Sequence, residues 1–100
     1  MAMNRSRQHR LRSGYAIFMP TVFQGNMPAC YEADYPLIFA TELEAQHEIA
    51  DNQLTRIQQF LDDERAFDDA ITTDEFVLPV KVWADSSTST EDGRKYGKQE

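Results

Sequence analysis

The chain has 100 residues, 41% apolar and 27% charged, with 17 acids against 10 bases and a net charge of −7. That suffices for one domain with one core and is too short for two, and the composition is that of a globular protein rather than a disordered one. No apolar run reaches the roughly 18 residues that a membrane-spanning helix needs, and the single cysteine, Cys30, has no internal disulfide partner, so a reduced cytoplasmic setting is expected.

The net charge conceals an asymmetry. Residues 1–14 carry Arg5, Arg7, Arg10 and Arg12 and no acid, whereas residues 15–100 hold 17 acids against six bases, a balance of −11. All of that excess falls within residues 32–75, where 13 acids face only Arg56 and Arg65. The basic start resembles that of a secretory signal, but the apolar stretch Tyr15–Met19 is too short for one and Pro20 closes it. Residues 1–14, with Leu11 as the one large aliphatic side chain, bury too little surface to offset their ordering entropy and read as a disordered basic tail.

Residues 15–96 read as a single α+β domain, and 97–100 as a frayed end. Tyr15–Met19 is aromatic and β-branched enough for a first strand stopped by Pro20. The region from Pro20 to Pro36 is punctuated by proline and glycine, with a turn expected at Gln24–Asn26 and a short return strand at Ala29–Glu32. Leu37–Ala40 reads as a buried strand. Thr41-Glu42-Leu43-Glu44 then has the form of a capping box, in which the threonine hydroxyl accepts from an early helix amide and the glutamate reaches back. Leu43, His47, Ala50, Leu54, Ile57 and Leu61 follow at steps of four and three, with Ile49 and Phe60 widening the stripe. This pattern predicts a long amphipathic helix whose stripe faces the core. It should end near Leu61, with Asp62 or Asp63 capping a short second helix through Phe67, Ala70 and Ile71. Phe76, Leu78, Val80 and Val82 alternate along another strand, where Pro79 marks an edge position or a bulge. A weak strand at Thr88–Thr90 and the Asp92-Gly93 turn signal complete the chain. The fold expected is a small mixed or antiparallel sheet of three to five strands, covered on one face by the long helix with a short second helix.

Chemistry is sparse. Glu44 and His47 have the Glu-x-x-His spacing of carboxylate metal sites, with Asp51 one turn on, but such sites draw on two motifs and four helices. Cap duty for Glu44 and packing for His47 explain the pair more simply. Cys30 has Glu32 and Asp34 nearby, which oppose thiolate formation. Adjacent acids such as Asp62-Asp63 and Asp68-Asp69 suit capping and solvation better than acid–base work. No nucleophile elbow or phosphate-cradling glycine loop is present, and no cofactor or metal is expected.

The aromatic and methionine content of the segment Phe23, Met27, Tyr31 and Tyr35 suits a protein interface. The function expected is therefore a non-enzymatic interaction or regulatory module, binding another protein or a second copy of itself through Phe23–Tyr35 or the exposed end of the long helix. Direct nucleic-acid binding disagrees with the acidic body. Two alternatives stand beside this one. In the first, the face carrying Glu44, Glu48, Asp51, Asp62, Asp63, Asp68 and Asp69 makes an acidic inhibitor or nucleic-acid mimic that binds a basic protein. In the second, Glu44, His47 and Cys30 serve a small metal- or ligand-binding enzyme.

Overall fold

A computed structural model describes residues 10–97. The first nine and last three residues lie outside it, so the expected tail is described only from Arg10 onward. There it differs from the expectation: strand β1 spans Arg10–Thr21, so the residues from Arg10 to Gly14 belong to the sheet. β2 (Gly25–Pro28), β3 (Tyr31–Glu32) and β4 (Tyr35–Pro36) follow, then helices α1 (Glu42–Leu61) and α2 (Phe67–Ile71), and strands β5 (Phe76–Trp83), β6 (Thr88–Thr90) and β7 (Lys95–Tyr96). The class is α+β. Five strands form an antiparallel sheet in the order β2-β1-β5-β6-β7, and β3 pairs with β4 as a separate two-stranded ladder.

The prolines sit where a missing donor meets no partner. Tyr15 exchanges backbone hydrogen bonds with Phe39 on the side of β1 away from β5, so its ladder partner Pro79 points its nitrogen away from β1. β6 begins pairing only at Val80, so Pro79 occupies an edge position. Pro20 does not stop β1. Its nitrogen turns toward the β5 side, where pairing has already ended at Phe18 and Phe76, and the strand continues through Thr21 opposite Gly25.

The core lies on one face of the sheet. Ala16, Phe18, Val80 and Tyr96 are buried together, with Met27, Ile38, Phe76 and Leu78 packed around them. The two sheet edges approach each other across this face: the Tyr96 hydroxyl donates to the Asn26 carbonyl at 2.8 Å and Arg94 Nη2 to the Gln24 carbonyl at 2.7 Å. Leu37–Ala40 is not the expected strand. Only Phe39 bridges to Tyr15, and Ile38 folds over the core. Gly14 makes that approach possible, since a Cβ there would stand 2.6 Å from Ile38 Cγ2 and 2.9 Å from the Phe39 oxygen. The expected return strand at Ala29–Glu32 is instead half of the β3–β4 hairpin, whose turn places both Ala33 (φ 50°) and Asp34 (φ 76°) in the left-handed region.

α1 packs against β1 and β5, and Ile17, on the opposite face of β1 from Phe18, is closed to solvent together with Ala45 of the helix. Thr41 caps α1, its hydroxyl accepting from the Glu44 amide at 3.1 Å, while the Glu44 carboxylate accepts from the Ala40 amide at 3.2 Å. Asp62 is the C-cap of α1 and Asp63 takes a left-handed φ of 63°. Neither caps α2, which starts after Ala66 without a side-chain cap. α2 lies on one flank of α1, held by the Gln53 amide bonded to the Ala70 carbonyl and by an edge contact between the Phe60 and Phe67 rings.

Candidate interaction surface

With 3.6 residues per turn each α1 residue advances about 100° around the axis. Leu43, His47, Ala50, Leu54, Ile57 and Leu61 then fall within about 40° of one line, the stripe recognised in the sequence. Its direction is the reverse of the expected one. Leu43, Leu54 and Leu61 are 60%, 63% and 65% exposed, His47 and Ala50 are exposed, and only Ile57 is half-buried. The packed side of α1 is the opposite one: Ala45 is fully buried, and Glu48, Ile49, Asn52, Arg56, Gln59 and Phe60 are half-buried. Ala45 is the one residue of α1 closed to solvent, so the packed side centres on a small methyl group rather than on the leucines. The outward stripe runs about 27 Å from Leu43 to Leu61 at 1.5 Å per residue. Phe67 and Ile71 of α2 are also about half exposed, at 53% and 49%.

Charge divides along the same lines. The Nε and Nη2 atoms of Arg56, the one cation of α1, are buried without a hydrogen-bond partner among the described residues. Arg65 is held by the Gln59 side chain and by an ion pair with Asp69. Glu44, Asp51 and Asp62 are exposed and share one border of the stripe. Residues 41–71 carry nine acids and those two arginines, a net −7.

The other predicted site residues differ in exposure. Phe23, 95% exposed, stands with Val22, 88% exposed, at the tip of the β1–β2 hairpin. Met27, Tyr31 and Tyr35 are half-buried, and Met27 packs on the core. Glu48 is half-buried on the packed side of α1, and Asp51 is exposed. His47 is exposed rather than packed as expected, and of the Glu-x-x-His pair only Glu44 serves the helix terminus, where it accepts from the Ala40 amide. Among the described residues no three His, Cys, Asp or Glu side chains come together as a metal site. Burial pushes the Cys30 thiol above its ordinary pKa, with the Glu75 and Glu48 carboxylates adding to the effect. That environment opposes a thiolate nucleophile.

One cavity of about 270 Å³ lies on the sheet face away from the core, between Tyr15, Pro79, Lys81 and Glu91. None of the candidate site residues taken from the sequence lines it. No helix among the described residues is long and apolar enough to cross a membrane. No protein-family model, curated protein or solved structure matches the chain.

Proposed function

We propose that this protein is a non-enzymatic interaction module that docks another protein on the solvent-facing stripe of α1. The observation that carries the reading is the exposure of Leu43, Leu54 and Leu61 along one face of a regular, capped, 20-residue helix. Scattered exposed leucines are ordinary on protein surfaces, whereas an aligned row rimmed by polar residues marks a contact surface. A helix displaying anchors at this spacing is suited to helix-mediated recognition. A cytoplasmic setting goes with this reading, since Cys30 is a free thiol.

Photo-crosslinking in the source cells tests the proposal. A benzophenone side chain at Leu54 should yield a discrete adduct that is missing when the same group replaces Glu91 on the sheet side. The absence of adducts at Leu54, or the same bands from both positions, would overturn it. A third probe at Phe23 addresses the hairpin tip, a second reading favoured by the near-complete exposure of Val22 and Phe23. Adducts from Phe23 alone would move the docking surface there.

A further inference from the structure

We infer that the occupant of the α1 stripe is a cationic amphipathic helix of another protein, an inference that rests on the docking role proposed for that stripe. Three observations select this partner. The first is shape: the row from Leu43 to Leu61 is straight, regular and about 27 Å long, which matches a partner helix of about 18 residues. The second is the border. Glu44, Asp51 and Asp62 lie about 80–100° around the axis from the row, all on the same side, and all three are exposed. A partner helix seated on the leucines would bring its flanking residues against these carboxylates.

The third observation is the removal of the cations from this surface. Two arginines could have balanced the nine acids of residues 41–71. Arg56 is turned to the packed side with its Nε and Nη2 buried, and Arg65 is committed to Gln59 and Asp69. The surface therefore offers carboxylates and apolar side chains together. It attracts lysine and arginine and disfavours acidic partners, since like charges brought together at an interface oppose binding.

A second copy of the chain fits less well. Stacking two α1 stripes would set one −7 segment against another. The basic start of a second copy supplies arginines but only Leu11 as a large aliphatic residue, and from Arg10 onward it is already paired in β1. A bilayer is disfavoured for a related reason, because acidic borders are repelled by anionic lipid headgroups.

The test uses the intact protein and a set of synthetic peptides of about 18 residues, the length that matches the stripe. One is an amphipathic helix of leucine and lysine, the second has glutamate in place of lysine, and the third has the leucine–lysine composition scrambled so that no apolar face forms. Binding is read by fluorescence anisotropy at low and moderate salt. The expected result is saturable binding of the leucine–lysine helix alone. It should weaken about tenfold or more in Leu54→Glu, as for loss of a buried anchor, and by a smaller factor in the double variant D51K/Q58K. Both variants alter exposed positions, and an unchanged thermal midpoint verifies that they fold.

The outcomes separate the inference from the reading beneath it. Equal binding of the glutamate helix would overturn the choice of a cationic partner while leaving the stripe as a docking face. So would a dimer in sedimentation that dissociates in Leu54→Glu, or binding to phosphatidylcholine vesicles. Equal binding of the scrambled peptide would mean attraction to charge alone and would overturn the role of the leucines. No binding to any probe, with no self-association, would overturn both.

Discussion

In β1, Ala16, Ile17 and Phe18 are 1%, 1% and 0% exposed, whereas in α1 Leu43, Leu54 and Leu61 are 60%, 63% and 65% exposed. The strand turns its apolar residues to both sides and both are covered. The helix turns its best apolar row to solvent and rests on a side made of alanine, isoleucine, phenylalanine, asparagine, glutamine, glutamate and arginine. Different forces therefore place the two halves. Burial of large side chains organises the sheet around Phe18, whose ring meets those of Phe76 and Tyr96 at centroid distances of 6.5 and 5.3 Å. The helix carries its own cap, buries Ala45 with Ile49 and Phe60 half-buried on the same side, and makes side-chain contacts to α2. Its leucines are free to serve something other than the fold.

Substitutions can break this contrast. Phe18→Ala should cost the most, about 3–5 kcal/mol in denaturant unfolding, since it empties the centre of the core. A loss comparable to that of an exposed residue would show the sheet core to be misassigned. Gly14→Ala comes next, at about 1–3 kcal/mol, because the added methyl group has to push back Ile38 and the Phe39 carbonyl. Thr41→Ala should remove about 1 kcal/mol with the loss of the cap, and circular dichroism should show fraying confined to the start of α1. The leucines come last. Leu54→Ala and Leu61→Ala should each shift stability by no more than about 0.5 kcal/mol, as at exposed positions. A cost of several kcal/mol at Leu54 would mean that the stripe supports the fold after all.

The parts of this contrast that local chemistry dictates could be read in the sequence. The Thr41 cap, the extent of α1, the alternating strand at Phe76–Trp83 and the Asp92-Gly93 turn each depend on residues within a few positions of one another. The direction of the stripe does not. Periodicity shows that a helix has an apolar side, and it leaves open what that side meets. Here the decisive residue is Ala45, which a hydrophobicity pattern weighs lightly and a close-packed contact weighs heavily. Pro20 misled for a similar reason, because whether a missing donor matters depends on where the neighbouring strand stops. The Ala33-Asp34 turn lacks the glycine or asparagine that usually announces two left-handed residues. Among the proposed contact residues, Phe23 and Asp51 are exposed, while Met27, Tyr31, Tyr35 and Glu48 are partly occupied within the domain itself.

The clasp between the sheet edges also has a consequence in time. Arg94 and Tyr96 reach partners 70 positions earlier, at Gln24 and Asn26, so the first hairpin is completed by residues made long after it. At synthesis rates of ~5–20 residues per second the interval is roughly 4–14 seconds. Throughout it, Phe18 lacks the Tyr96 ring and the hairpin bearing Phe23 lacks its tether. Contacts of such long range are slow to close, and the nascent sheet stays open on that side until the end of β7 has been made.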